Sequence, residues 1–227
     1  MYTIGKVEAR PRSDEGWDDA AWSRADPLRL DHFRPEGSGH RPKVDVKLLF
    51  DEGRIYVFFR VEDQYVRAIR TEYQSPVCKD SCVEFFVRPR GDTGYFNFEC
   101  NCGGTLLASF LEDWRRTPDG FVKRTLLDET DAEDIEVHSS LPQKIEEEIT
   151  DPITWWLKLT VGRPVFERYL GPLGDFAGTE WRANFYKCGD ELSHPHWGSW
   201  QPVGGALNFH QPEYFGRIRF EADRRGG

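Results

Sequence analysis

The chain has 227 residues, with 30 Lys and Arg against 39 Asp and Glu, for a formal net charge of −9. That length suits one domain whose core stands without disulfide staples, because a chain of this size buries roughly 70–75% of its unfolded surface. The acidic balance lacks a basic stripe and argues against a nucleic-acid partner, and no apolar run approaches the ~20 residues of a membrane helix.

Residues 1–9 lack the charged-then-apolar pattern of a secretory leader, and the cysteines (Cys78, Cys82, Cys100, Cys102 and Cys188) are odd in number. Both features fit a reducing compartment, so a cytoplasmic location is expected, with the mature form of an exported protein as the alternative. Residues 17–22 are expected to form one short helical turn. Residues 44–48 alternate apolar and polar side chains with period two, Asp51-Glu52-Gly53 reads as a turn, and 55–61 is rich in β-branched and aromatic residues. All three are strand-and-turn signals. Strands are expected at 81–87 and 95–101, joined by a loop at 90–94, and at 106–110 and 135–139. The segment 128–151 is densely acidic and reads as a solvated loop region around an edge strand, since like charges repel and stay in water. Calcium is the alternative there, although EF-hand spacing is absent. Later strands are expected at 155–161, 181–187 and 215–220. Residues 164–170 form a helix pattern, with Pro164 in the first turn, Phe166, Tyr169 and Leu170 on one face and Gly171 as the stop. The pattern predicts an all-β, single-domain β-sandwich of two antiparallel sheets with one or two short helices, spanning 1–222 and followed by a flexible tail at 223–227.

The chain has no P-loop, no dinucleotide fingerprint among Gly171, Gly174 and Gly178, no Gly-x-Ser-x-Gly elbow and no His-Glu-x-x-His helix, so nothing announces a hydrolase, kinase or nicotinamide enzyme. Cys100 and Cys102 share a strand face, and with Cys78, Cys82, His194 and His196 a zinc site can be drawn. Without a Cys-x-x-Cys pair, small buried thiols are expected instead.

Alternation places Cys82, Glu84 and Phe86 on one strand face, and Tyr95, Asn97, Glu99 and Asn101 on one face of the next. If the strands pair, Glu84, Asn97 and Glu99 make a polar patch. It is either the solvated side of an antiparallel sheet or a set of partners for sugar hydroxyls. Aromatics are numerous, with 8 Trp, 8 Tyr and 16 Phe in a chain only 38% hydrophobic. Tyr186, Trp197, Trp200 and Phe209 lie in its aromatic-dense last third. There they either plug the end of the sandwich or offer flat faces to sugar rings.

Several stretches together resemble a known family. They are Trp17-Asp18-Asp19-Ala20-Ala21-Trp22, Asp80-Ser81-Cys82-Val83-Glu84-Phe85-Phe86, Tyr95-Phe96-Asn97-Phe98-Glu99, Asn184-Phe185-Tyr186-Lys187-Cys188, His196-Trp197-Gly198-Ser199-Trp200 and Asn208-Phe209-His210-Gln211-Pro212. Over about residues 5–220 the chain resembles the family 9 carbohydrate-binding-module-like domains of the DOMON-type β-sandwich group. The resemblance implies a non-catalytic module that binds a mono- or oligosaccharide, in the best-known members at glycan reducing ends between two Trp rings. It also implies structural calcium and a possible glycoside hydrolase partner. Carried over, one stacking ring falls near Phe209, and the other near Val77 or Cys78, where this chain has no ring. Trp197, Trp200 and Tyr186 are the candidates to replace it. Glu84 matches the family's polar Glu, with Asn97 and Glu99 beside it. The expected carbohydrate-binding residues are therefore Glu84, Asn97, Glu99, Tyr186, Trp197, Trp200 and Phe209. The alternatives are a structural or interaction sandwich without a sugar ligand, and a glycoside hydrolase-associated enzyme using Glu84 and Glu99 as an acid/base pair.

Overall fold

Strand-forming alternation dominates the computed structural model, which describes residues 1–223. The expected tail, 223–227, lies outside the described residues except for Asp223, whose carboxylate meets Lys6 Nζ at 2.5 Å. The strands are β1 (Tyr2–Lys6), β2 (Leu28–Arg29), β3 (His32–Phe33), β4 (Lys43–Phe50), β5 (Arg54–Asp63), β6 (Val66–Ala68), β7 (Cys82–Arg88) and β8 (Tyr95–Asn101), followed by β9 (Leu106–Thr117), β10 (Gly120–Leu126), β11 (Ile135–Ser139), β12 (Ile145–Ile149), β13 (Ile153–Gly162), β14 (Glu180–Cys188), β15 (Trp197–Ser199) and β16 (Gly216–Phe220). Two α-helices, α1 (Glu129–Ala132) and α2 (Arg163–Leu170), complete the fold. No helix among the described residues is long and apolar enough to cross a membrane.

The first layer runs β10-β9-β8-β7-β14-β16 and the second β4-β5-β13-β11, with β1 between them. Pairing within the layers is antiparallel, as expected, but β1 departs from it. Tyr2–Ile4 run parallel to Ile218–Phe220 of β16, and Gly5 and Lys6 run parallel to Leu49 and Phe50 of β4. Only a tight turn forces antiparallel pairing, and β1 shares no turn with either partner, because the chain crosses the second layer before it returns.

The inner faces meet in one core. Val83, Phe85 and Val87 of β7 share it with Val57, Phe59 and Val61 of β5, all buried, and Phe185 of β14 stacks on Phe85 at 5.1 Å. The α2 helix plugs one end of the sandwich. Val165 and Phe166 are buried there, with Phe166 5.4 Å from Trp181, and Gly171 closes the helix at φ 70, a left-handed conformation that glycine adopts without strain. The outer face of the second layer is covered by the N-terminal segment. Trp22 packs on Phe58 at 5.0 Å, and Lys47 and Lys158 reach up to cap the carbonyls of Trp17 and Ser13. Residues 17–22 form turns, and the helical turn there is a 3₁₀ turn at Trp22–Arg24.

The acidic segment is more structured than a solvated loop. Asp128 and Asp131 cap α1 reciprocally, and buried Asp131 accepts from Arg168 at 2.7 Å and from the Tyr169 hydroxyl at 2.6 Å. Asp131, Asp134, Glu136 and Glu146 have ion-pair partners, and β11 is the edge strand of its layer, as expected.

One buried ion pair joins the layers. Asp63, at the end of β5, and Lys187, in β14, meet at 3.3 Å with both side chains fully buried. Asp63 also accepts from Ser81 Oγ at 3.1 Å and from Trp155 Nε1 at 3.2 Å, and it bonds His40 Nε2 at 2.8 Å. Lys187 Nζ lies 2.8 Å from His196 Nε2. Burial opposes ionisation of Asp63, but the Lys187 charge and the His40 bond outweigh it and hold the carboxyl well below the usual carboxylate range. Burial, with Lys187 adjacent, pushes His196 down to about 3.

Two predictions follow from this cluster. Lys187→Met strands the Asp63 carboxylate and is expected to cost about 3–5 kcal/mol in urea unfolding; a loss below about 1 kcal/mol would contradict the pairing. The second concerns acid. The folded His196 pKa lies below its ordinary 6.5, so the unfolded chain binds the proton first. Stability is therefore full well above about pH 6.5 and falls as pH drops toward the folded value, by about 3 kcal/mol on reaching about pH 4.5. Asp63 adds a loss of the same sign below about pH 4. The His196→Gln variant should show a shallower decline between about pH 6.5 and 4.5, and an unchanged slope would remove His196 as its source.

Candidate functional site

The outer face of the first layer carries the polar patch. Register places Glu84 of β7 directly opposite Glu99 of β8 on one side and opposite Tyr186 of β14 on the other. One pair further along β7, Cys82 lies opposite Cys188. The inner and outer faces divide as alternation requires, with Phe85 and Phe98 in the core and Glu84 and Glu99 outside it. This outer face is nonetheless not bathed in solvent, because Glu84 is 2% and Glu99 6% exposed. Its cover comes from two directions. The long β9–β10 hairpin contributes Arg116, Phe121 and Arg124, and the segment after β15 folds back with Asn208, Phe209 and His210. A second small core beneath this cover includes Phe86, Tyr95, Leu111, Tyr186 and Phe215.

Between cover and sheet lies a cleft of about 320 Å³, whose lining includes Glu84, Glu99, Cys78, Cys188, Asp190, Trp197 and Phe209. This volume lies at the lower end of ligand clefts, which run to about 300–1,000 Å³. A larger groove of about 1130 Å³ lies between the N-terminal segment and the β4–β5 turn, but no aromatic side chain lines it.

The expected site residues separate into three groups. Glu84, Glu99, Trp197 and Phe209 come together in the cleft, the two aromatics only partly buried. Asn97 and Tyr186 stand behind them. The Asn97 amide donates to Glu99 Oε1 at 2.6 Å and accepts from Ser109. Tyr186 is fully buried, with its ring stacked beneath Phe209 at 4.1 Å and its hydroxyl donating to the Phe209 carbonyl at 3.0 Å. Tyr186 therefore sets the attitude of the Phe209 ring and does not itself face the cleft. Trp200 is elsewhere: it packs against the inner core, 5.8 Å from Phe185, where Gly216 leaves room for its ring. At the position where the resemblance implies a second ring, Val77 is buried and Cys78 lines the wall. Trp197 is the other large aromatic on this wall, and its indole donates to Asp190 Oδ1 at 2.7 Å.

Arg116, Phe121, Arg124, Asp190 and His210 were not expected. The Arg116 guanidinium lies 4.1 Å over Phe121, and Arg124 Nε donates to Ser109 Oγ at 2.8 Å. The Thr117-Pro118-Asp119-Gly120 turn carries a hairpin signal that extends the 106–110 strand and brings both arginines to the site. His210 Nδ1 bonds the Tyr95 hydroxyl at 2.6 Å, and burial drives its pKa well down, so the ring is neutral.

Burial raises the Glu84 carboxyl well above the usual carboxylate range, and the facing Glu99 adds to it. Burial raises Glu99 as well, against the pull of the Asn97 amide and Arg124. Glu84 Oε1 accepts from the Cys188 thiol at 3.1 Å, while Oε2 is buried and has no hydrogen-bond partner. Such an acceptor costs about 1–3 kcal/mol unless something meets it. The arrangement thus offers acceptors on the floor, guanidinium donors on one wall and partly open aromatic faces.

Neither of the convergent side-chain clusters suits the implied calcium. Among the described residues, the side-chain groups that converge as three potential ligands are His40–Asp63–His196 and Cys82–Glu84–Cys188. Calcium takes six to eight oxygens, and both groups carry nitrogen or sulfur donors. In the first, the Lys187 ammonium already supplies the positive charge. The zinc grouping with Cys100 and Cys102 does not form either, since both thiols are buried in the inner core.

Comparison with known proteins bears on this geometry. Residues 21–220 match the model of Carbohydrate-binding family 9. A candidate carbohydrate-binding protein from Bacteroides uniformis ATCC 8492 is similar over 96% of this chain and 98% of its own, with 31% identity and a TM-score of 0.82. A family 9 module from Caldicellulosiruptor kristjanssonii, solved with glucose, shares the fold at 12% identity and a TM-score of 0.65, over 99% of this chain and 97% of its own. A structure of such a module from that organism with cellotriose gives the same TM-score and identity over 98% and 94%. No curated protein matches. With its matched span covering most of the sandwich, the chain belongs to carbohydrate-binding family 9.

Proposed function

We propose that this protein is a non-catalytic carbohydrate-binding module that seats a sugar ring over Glu84 and Glu99, against Phe209 and Trp197. The observation that carries this is the partnerless Glu84 Oε2, buried at the floor of a cleft whose wall aromatics are only partly buried. A sugar hydroxyl supplies the missing donor, and the apolar C–H face of the ring suits the aromatic faces. Arg116 and Arg124 add donors from the hairpin wall. Family membership and the glucose and cellotriose held by the Caldicellulosiruptor kristjanssonii modules support the same ligand class.

The geometry disfavours the acid/base alternative. Glu84 and Glu99 rise side by side from one sheet face and meet a ligand from the same side. Glycosidic hydrolysis needs its two carboxyl groups to flank the scissile bond. Any bond cleavage would then belong to a separate glycoside hydrolase.

Calorimetry with glucose, cellobiose and cellotriose, followed by a broader glycan array, tests the proposal. Binding of at least one saccharide at millimolar concentration or tighter is expected. An aromatic face contributes about 1 kcal/mol, so Phe209→Ala should weaken that binding roughly five- to tenfold. Trp200→Phe, away from the cleft, should leave the affinity within about twofold. No detectable binding to any saccharide would overturn the proposal, and full affinity in Phe209→Ala would remove that ring from the site.

A further inference from the structure

We infer that Cys82, Cys188 and Glu84 form a binding site for a thiophilic divalent cation, zinc above all, at the floor of the cleft. Cys82 and Cys188 are direct cross-strand partners on β7 and β14, and Glu84 lies two residues along β7 on the same face. One donor atom from each lies within 4.8 Å of the other two. A tetrahedral zinc ion with bonds of about 2.3 Å to sulfur and about 2.0–2.2 Å to oxygen holds its donors roughly 3.4–3.8 Å apart. The trio lies near that spacing, with its donors within 4.8 Å of one another and Cys188 Sγ 3.1 Å from Glu84 Oε1.

A second, independent observation is the buried Glu84 Oε2, which no hydrogen-bond donor satisfies. A metal ion would use it. Charge points the same way. Cys78, Glu99 and Asp190 lie around the trio, with Arg116 and Arg124 on the hairpin wall, and no ammonium or guanidinium group among the described residues hydrogen-bonds a side chain of its three members. The buried ammonium of Lys187 is turned to Asp63 and His196, and on this side it meets only the Cys188 backbone carbonyl, at 3.1 Å. Two thiolates and one carboxylate select zinc over calcium or magnesium, because soft sulfur prefers the softer ion. Three protein ligands leave a fourth position toward the cleft, where Cys78 lines the adjoining wall. Ionising the thiols on binding releases their protons to solvent, so affinity rises with pH.

This inference does not rest on the sugar-binding proposal; both draw on Glu84 Oε2, so each is read by its own measurement. The full chain, reduced and stripped with chelator, is titrated with cobalt(II) and then zinc(II), with calcium and magnesium as competitors. One equivalent of cobalt is expected, with a sulfur-to-cobalt charge-transfer band that zinc abolishes and the other two ions leave in place. Cys82→Ser/Cys188→Ser should lose the band, and Glu84→Gln should bind at least tenfold more weakly. Thermal melting of each variant without metal checks folding. Should the double variant unfold, the wild-type band and Glu84→Gln still decide the matter. Absence of the band in the wild-type chain, its survival in a folded double variant, or unchanged affinity in Glu84→Gln would each overturn the site. Calorimetry with saccharides on the metal-free chain reports on sugar binding independently.

Discussion

The buried contact between Asp63 and Lys187 sets the constraint on which the candidate site depends. It joins a strand end of one layer to a strand interior of the other, with both side chains out of water. Turning that ammonium outward would leave the buried Asp63 carboxylate without its counter-charge. In a strand, fixing one residue fixes its neighbours. With Lys187 directed inward, Tyr186 and Cys188 must face outward, onto the floor that Glu84 and Glu99 complete. A one-residue slip of β14 would instead direct Lys187 into the cleft and a tyrosine toward Asp63. The polar cluster between the layers thus specifies the register of the site on the opposite face.

The two outer faces of the sandwich are treated differently by the chain, and this explains the aromatic surplus. On the second layer the N-terminal segment lies flat, sealed by Trp17, Trp22 and lysine stems that end on backbone carbonyls. On the first layer the cover is incomplete. The return loop after β15 supplies Phe209, which rests on Tyr186, and the β9–β10 hairpin supplies Phe121 beneath Arg116. Between these two flaps the floor carboxylates are shielded from bulk water but still border the cleft. That environment strengthens each hydrogen bond a ligand makes, and it also makes an unmet acceptor costly.

Much of this was legible in the sequence, for geometric reasons. Period-two alternation at 81–87 and 95–101 assigned Glu84, Asn97 and Glu99 to one face and Phe85 and Phe98 to the other, and the structure follows it. The helix at 164–170 was marked by Pro164 and Gly171. The signal failed where burial does not alternate. β10 is an exposed edge strand with no apolar stripe, so Arg124 gave no sign of its place. β15 is three residues long, and the bend after it decides that Trp200 turns inward while Trp197 faces the cleft. Tyr186 was expected at the site, but whether its ring is bare or covered depends on a distant loop. The meeting of Cys82 with Cys188 depends on long-range strand pairing that local patterns do not encode.

The first strand has a mechanical consequence. Tyr2–Ile4 run parallel to Ile218–Phe220, so the opening and closing strands of the fold lie side by side, pointing the same way. Tension applied through the two ends would draw these strands past each other lengthwise. The hydrogen bonds between them would share the load in shear and would not peel apart one at a time. Gly5 and Lys6 continue the same strand onto β4, so this strand is anchored in both layers. The fold is therefore clamped at the place where a tether would pull, and the cleft over β7, β8 and β14 lies outside that line of force.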